Sequence, residues 1–354
     1  MKIGIPTEIK PFEGRVGLIP AACEELVRRG HQVCVQAGAG VAAGYQDEAF
    51  VASGAHIVTD AAELYGEAEL VVKVKEPVEG DLRHLRPDHL LFCFLHLAAN
   101  RQLGEDLRRL GLTAVAFETV AEGGQLPLLA PMSEIAGRLS MQVATHTLHL
   151  PQGGSGVLLG GLPAAERGHV VVIGAGEAGG AAVDVAARLG ADVTAFDTDR
   201  SKLARMRGLG ANVTALYPFA DAVRRTVAAA DVVIGAVLLP GRRAPDVVRR
   251  AEVESMRPGS VVVDISVDQG GCIETSRPTT YDDPIYTEAG VRHFCVTNMP
   301  GAGPRTASQA LSAALMPYVL RLARGELDAH PGLREGINVR AGEYVNPVIR
   351  EELS

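Results

Sequence analysis

The run Gly174-Ala175-Gly176-Glu177-Ala178-Gly179 directly follows the strand-like HVVVI and opens an alanine-rich helical pattern. In that setting each glycine has a task. Gly174 permits the tight turn, Gly176 lets the backbone approach a pyrophosphate, and Gly179 allows the helix to sit close to the sheet, with its N-terminal amides and dipole facing the phosphates. The next strand-like run ends at Asp197, about 20 residues on, where a carboxylate accepts both ribose hydroxyls and repels a 2′-phosphate. The pattern points to NAD rather than NADP, although Arg200 and Lys202 follow closely and are able to hold a phosphate. The competing reading is a glycine-rich turn in an α/β fold that binds nothing.

Other polar residues interrupt apolar stretches. In PTEIKPFEGRVGLIP, Arg15 lies in a loop before a helix, where a guanidinium either clamps a carboxylate through two parallel hydrogen bonds or pairs with Glu8 or Glu13. Lys75 ends LVVKVK just before Glu76-Pro77, at the carboxyl end of a strand where ligands gather. Lys73 is on the same strand, alternation places both on one side, and either can be a solvated edge charge. His96 ends LLFCFL in the same topological position and is either a satisfied core histidine or an acid–base group. In SVVVDISVDQGGC, Asp264 falls within a strand and Asp268 beyond it; Asp268 faces a cleft or forms the turn before Gly270. Asn298, in VTNMPGAGP, either holds a carboxamide or orders a turn.

The elements that position these residues follow a βα rhythm. KIGIP, HQVCVQAG, HIVT, ELVVKVK, HLLFCFLHL and TAVAFETV alternate with amphipathic stretches, as in a parallel sheet. A helix is expected from Pro20, suited to a first turn, to Arg29, with Gly30 as a left-handed cap. A longer helical pattern from about Ser133, its N-cap, to about Leu150 reads as a connector between domains. The glycine-rich PQGGSGVLLGGLP cannot be regular helix and suits a turn beside a ligand or another chain. HVVVI, DVTAFD, DVVIGAV, SVVVDIS and HFCVTNMP then give a second parallel sheet. After Pro304 a second long helical pattern reads as the return connector, kinked or divided by Pro317, and the tail after Gly332 packs back on the first domain.

Length and composition agree with two domains, since 354 residues with 47% hydrophobic content exceed one ordinary core. A net charge of -8 disfavours nucleic-acid and anionic-membrane partners. No apolar run approaches the roughly 20 residues of a bilayer span, so a cytoplasmic protein is expected. The five cysteines are dispersed without a CxxC pair, which suggests core residues and neither a disulfide framework nor a metal site.

Taken together, MKIGIPTEIKPFEGRVGLIP, VVKVKEP, LFCFLHLAA, LPLLAPMSEIAGRLS, VVVIGAG, VVIGAV, VDISVDQGGC, SRPTTYDDP and NMPGAGPRT resemble the bacterial alanine dehydrogenases over nearly the whole chain. The resemblance implies two Rossmann-like doubly wound domains joined by two long helices, with 1–130 and 304–354 forming the substrate domain and 131–303 the NAD domain. It implies NAD-dependent interconversion of L-alanine with pyruvate and ammonia, by a homohexamer. On that basis Arg15 and Lys75 bind the substrate carboxylate, His96 and Asp268 are catalytic, and Ser133, Gly174, Gly176, Gly179, Asp197, Lys202 and Asn298 contact the dinucleotide. Departures are Ser155, where the family usually carries an arginine, and TASQALSAAL, which replaces a segment richer in Thr, Asn and Ser. Other readings are the NAD-binding subunit of a proton-translocating transhydrogenase, a same-fold dehydrogenase or imine reductase for another small amino or imino acid, and a noncatalytic NAD-binding module. The transhydrogenase family lacks the lysine of KVKEP and the histidine of FLHLA, both present here.

Overall fold

The computed structural model describes residues 1–239 and 244–353. The chain divides into two compact units, Met1–Met132 with Gly301–Ser354, and Ser133–Pro300. The N-terminal segment supplies β1 (Lys2–Ile5), β2 (Gln32–Gln36), β3 (His56–Val58), β4 (Leu70–Val72), β5 (Leu90–Cys93) and β6 (Thr113–Ala116). The middle supplies β7 (His169–Ile173), β8 (Asp192–Phe196), β9 (Val213–Leu216), β10 (Val232–Gly235), β11 (Val261–Asp264), β12 (Ile285–Glu288) and β13 (Val291–Phe294). Two more, β14 (Ile337–Arg340) and β15 (Glu343–Tyr344), come from the C-terminal segment.

In the first unit the sheet order is β15-β14-β6-β5-β4-β1-β2-β3. The six N-terminal strands pair in parallel, and the tail closes the sheet with β14 antiparallel to β6. In the second unit the order is β12-β13-β11-β10-β7-β8-β9, parallel except for β12 at one edge. The first strand of the unit, β7, lies between β8 and β10, so the chain reverses its direction of travel across the sheet there, and loops following the strands flanking that point gather on one side.

Why valine-rich runs make these strands is visible in how they pack. In β7, Val170 and Val172 enter one core while Val171 and Ile173 enter the other. The strands β10 and β11 divide in the same way, with Val232, Ile234, Val261 and Val263 on one face and Val233 and Val262 on the other. A period of two sends successive residues to opposite faces, and helices covering both faces make every position apolar.

The helix Pro20–Arg28 begins with its proline and ends before Gly30, whose φ is 85°. The long helix of the middle segment differs from expectation at both ends, running Ala130–Thr147. Ser133 is therefore not its N-cap: the Leu126 carbonyl already accepts the N–H groups of Leu129 and Ala130, so a turn is wound ahead of it. Pro131 sits in that first turn, where its missing N–H removes no intrahelical bond. A separate 3₁₀ turn, Leu150–Gln152, follows.

The helix Pro304–Ala323 belongs wholly to the first unit and runs on through Pro317, which does not divide it. Leu311, Leu315, Tyr318, Val319 and Leu322 bury both halves, and that packing outweighs the one backbone bond the proline removes. The glycine-rich stretch is irregular, as its composition requires. A Cβ on Gly154 would lie 2.2 Å from the Thr147 carbonyl oxygen, and the exposed Ser155 donates its N–H to the Gly259 carbonyl. All five cysteines are buried and free. Among the described residues no helix is long and apolar enough to cross a membrane, and no cluster of His, Cys, Asp and Glu is suited to a metal ion.

Candidate active site

In the first unit, Arg15, Lys75 and His96 follow β1, β4 and β5, which are adjacent in the sheet. Parallel strands point their carboxyl ends the same way, so sheet order alone brings these three segments to one edge. The Arg15 loop is tied down by the helix Pro304–Ala323. Ser308 Oγ accepts the Val16 N–H at 3.0 Å, and Ser312 Oγ accepts the Ile19 N–H at 2.9 Å.

Arg15 is 2% exposed. Its Nε donates to Glu13 Oε1 at 2.7 Å, its Nη2 donates to Glu13 Oε2, and its Nη1 points at the Met132 sulfur at 3.3 Å. The ion pair weighed for Arg15 is thus present, with Glu13 as the partner. Glu8 is committed elsewhere. Its Oε1 accepts the Val74 N–H at 2.6 Å, and its Oε2 lies 3.3 Å from Lys73 Nζ.

The two lysines separate by burial. Lys73 is fully buried between Glu8 and Asp81, with Nζ 2.9 Å from Asp81 Oδ2, and the Tyr65 hydroxyl donates to the other Asp81 oxygen. Burial alone would lower the ammonium's pKa, but the carboxylates of Glu8 and Asp81 overcome it and raise it. Lys73 is a charged strut under the strand ends. Lys75 keeps some exposure and lies 3.7 Å from Glu76 Oε2, an oxygen that is buried and has no hydrogen-bond partner. Glu76 also accepts a hydrogen bond from Lys10. Burial pushes the Glu76 carboxyl upward, yet Lys75, Lys10 and His96 together hold it below the usual range.

His96 is half-buried and adopts a left-handed backbone, φ 50° and ψ 41°. Its ring stacks parallel on Phe94, with centroids 5.6 Å apart. Its N–H donates to Glu118 Oε1 at 2.6 Å.

In the second unit the glycine run follows β7 at the point where strand order reverses. Gly176 caps the helix Glu177–Arg188, and no atom lies within 4 Å of the position its Cβ would take. At Gly179 a Cβ would fall 1.7 Å from the Gly174 carbonyl oxygen, so only glycine allows this approach of helix to loop. Asp197 follows β8 and braces the loop: its carboxylate accepts the Ala175 N–H at 2.7 Å and the Asp199 N–H at 2.8 Å. Lys202 Nζ is 4.0 Å from the same carboxylate. The open face over Gly176, the helix N-terminus and the carboxylate at the end of β8 fit a dinucleotide's pyrophosphate and ribose.

Asp264 and Asp268 differ as sharply as the two lysines. Asp264 is fully buried and accepts the N–H groups of Ser266, Cys272 and Ile273. Burial raises its carboxyl pKa against these hydrogen bonds. It shapes the loop that presents Asp268, which is exposed. Asn298, past β13 with φ 59°, directs its backbone N–H to Asp268 Oδ2 at 3.3 Å, so these two strand ends meet. Ser133 is half-buried within the first turn of its helix.

Sequence reasoning passed over Glu76, Asp81, Glu118 and Arg205. Arg205 donates to the carbonyl oxygens of Ala175 and Gly176, holding the glycine loop from beneath. Glu118 had a usable signal, since it is the first charged residue after β6, the same strand-end position that singled out His96.

Models of the alanine dehydrogenase/PNT N-terminal and C-terminal domains match residues 4–136 and 140–347. Alanine dehydrogenase of Mycolicibacterium smegmatis is 46% identical over all of this chain and 97% of that protein. A solved L-alanine dehydrogenase is 47% identical with a TM-score of 0.95, over 99% of each chain. The transhydrogenase from Sinorhizobium meliloti is more distant, 26% identical with a TM-score of 0.84 over 98% of this chain and 99% of that one. With both domains matched and full-length identity of this order, the chain belongs to the alanine dehydrogenase/PNT family.

Proposed function

We propose that this chain is an NAD-dependent L-alanine dehydrogenase that interconverts L-alanine with pyruvate and ammonia. The observation that carries the reading is the gathering of Arg15, Lys75 and His96 past the adjacent strands β1, β4 and β5, in a chain similar to alanine dehydrogenases over its full length. Gly174, Gly176 and Gly179 with the N-terminus of helix Glu177–Arg188 would hold the pyrophosphate of NAD. Asp197 would take the adenosine ribose hydroxyls, and Ser133, Lys202 and Asn298 would add further contacts. When bound, NAD supplies the acceptor for the hydride leaving the substrate Cα.

The chain's own residues do the rest. Arg15 and Lys75 fix the substrate carboxylate and so set which Cα substituent faces the acceptor. Once the substrate ammonium has given up a proton, loss of hydride leaves an iminium on the substrate. His96 and Asp268 deprotonate the attacking water and protonate the departing amine, releasing ammonia and pyruvate; the reverse sequence is reductive amination. The family resemblance implies that the enzyme is a cytoplasmic homohexamer.

The test is NADH formation across the L-amino acids, with pyruvate plus ammonium assayed in reverse. Alanine oxidised far faster than any other amino acid is the expected outcome. NAD binding without turnover of any amino acid would refute the enzyme reading, and a clear preference for another amino acid would replace alanine as substrate.

A further inference from the structure

Proton transfer by His96, on which this inference rests, requires its imidazole to be aimed, yet the ring has little that aims it. Among the described residues no hydrogen bond reaches its ring nitrogens; the ring stacks parallel on Phe94 and interacts electrostatically with Glu76. Neither contact holds the ring in one direction unless the backbone beneath it is fixed. That backbone is left-handed at φ 50°, a conformation that crowds any residue with a Cβ and persists only where neighbours enforce it.

One side chain does the enforcing. Past Cys93 the chain leaves the β5–β6 ladder, so the N–H groups of Leu95 and His96 lose strand partners. Both turn to Glu118. The Leu95 N–H lies 3.2 Å from each carboxylate oxygen, and the His96 N–H lies 2.6 Å from Oε1. A carboxylate accepting backbone N–H groups makes stronger bonds than a neutral acceptor. Glu118 is itself held. It sits in the 3₁₀ turn Phe117–Thr119, and the adjoining Thr119 hydroxyl donates to Asn338 Oδ1 at 2.8 Å on β14. Leu95 and Leu97 are fully buried on either side of His96, which prevents the segment from sliding to a relaxed conformation.

We propose that Glu118 is a positioning residue: by accepting the consecutive N–H groups of Leu95 and His96 it fixes the left-handed turn that aims the His96 imidazole. It touches no reacting atom and acts only through His96.

A merely structural acceptor and a positioning residue differ in how they combine with loss of His96. In Glu118→Gln an amide N–H₂ replaces one oxygen and opposes a backbone N–H, which loosens the turn. The expected result is a fall in kcat of about a hundredfold, the scale of an ångström's misplacement, with NADH affinity unchanged. In the His96→Ala background the same substitution should cause no further loss, because the group it positions is gone. Glu118→Asp, which keeps a charged acceptor, should recover part of the rate, and it takes the place of Gln in the cycle if the Gln variant does not fold. Equal losses in both backgrounds, or wild-type kcat in Glu118→Gln, would overturn the positioning role alone. Wild-type turnover in His96→Ala would overturn the acid–base assignment along with it.

Discussion

Gly176, which caps the helix Glu177–Arg188, and Gly179, inside its first turn, make opposite predictions when each is given a methyl group. Gly176 has φ -69° and ψ -154°, an extended conformation open to alanine, and a Cβ there meets nothing within 4 Å. Gly176→Ala should therefore fold as the parent does, within about 0.5 kcal/mol. If the pyrophosphate lies over this loop, the methyl pushes it away from the backbone N–H groups. A hydrogen bond to a charged group contributes roughly 1.5–3 kcal/mol, so losing one weakens NADH binding about ten- to a hundredfold. At Gly179 the Cβ falls 1.7 Å from the Gly174 carbonyl oxygen, a backbone atom that cannot swing aside. The helix must move by more than about an ångström, at a cost near or above the ~3 kcal/mol upper end for overpacking, which corresponds to roughly 10 °C in Tm. Thermal unfolding and NADH fluorescence titration on both variants check the pair. Undiminished NADH affinity in Gly176→Ala would show that the phosphates do not approach this loop. An unchanged Tm in Gly179→Ala would show that the tight helix approach is wrong.

Asp197→Ala should weaken NAD binding and raise the ratio of NADP to NAD turnover, since it removes both the hydroxyl acceptor and the charge that repels a 2′-phosphate; steady-state kinetics with both cofactors reads this, and an unchanged ratio refutes it. Lys73→Met leaves Glu8 and Asp81 buried without their shared counter-ion, and should cost about 3–5 kcal/mol in urea unfolding; a loss under about 1 kcal/mol would remove the network from the fold's support. Glu76 carries a pH signature. Its folded pKa is depressed, so its contribution is fully present above the ordinary value of 4.5 and is lost as pH falls through the depressed folded value. Unfolding midpoints measured downward from neutral pH should fall more steeply for the parent than for Glu76→Gln, and identical slopes would contradict the assignment.

The parallel sheets were legible in the sequence because helices cover both faces of their strands, so that the VVVI of β7 and the VVV of β11 are unbroken by a polar residue. Strand ends were legible for the same reason. A polar residue closing an apolar run, as with His96, is conspicuous and falls where parallel strands deliver their loops; Lys75 and Asp268 lie just past such ends. What local pattern did not reveal was which of two equivalent residues a distant partner would claim. Lys73 and Lys75 differ only because Glu8 from the β1 loop and Asp81 enclose the first. Asp264 and Asp268 differ because three backbone N–H groups converge on the first. Ser133 failed as a cap because the Leu126 turn had already begun the helix. Glu118 was passed over because its meaning lies in the backbone of residues more than twenty positions away.

The charges assigned to the substrate carboxylate already have carboxylates of their own, and this bears on how the site works. Arg15 is bound by Glu13, and Lys75 faces Glu76. A buried guanidinium with no counter-charge would cost several kcal/mol, so the resident carboxylates are what allow these cations to be kept out of water before substrate arrives. If Arg15 and Lys75 take the substrate carboxylate, binding is a competition for, or a sharing of, cations already neutralised, and its free energy is a difference rather than the full strength of an ion pair. Two substitutions at Arg15 separate its charge from its geometry. Arg15→Met removes the buried Glu13's counter-charge and should lower stability as well as raise the KM for alanine. Arg15→Lys keeps the charge beside Glu13 but gives up the planar fork, so its effect should fall on KM far more than on folding.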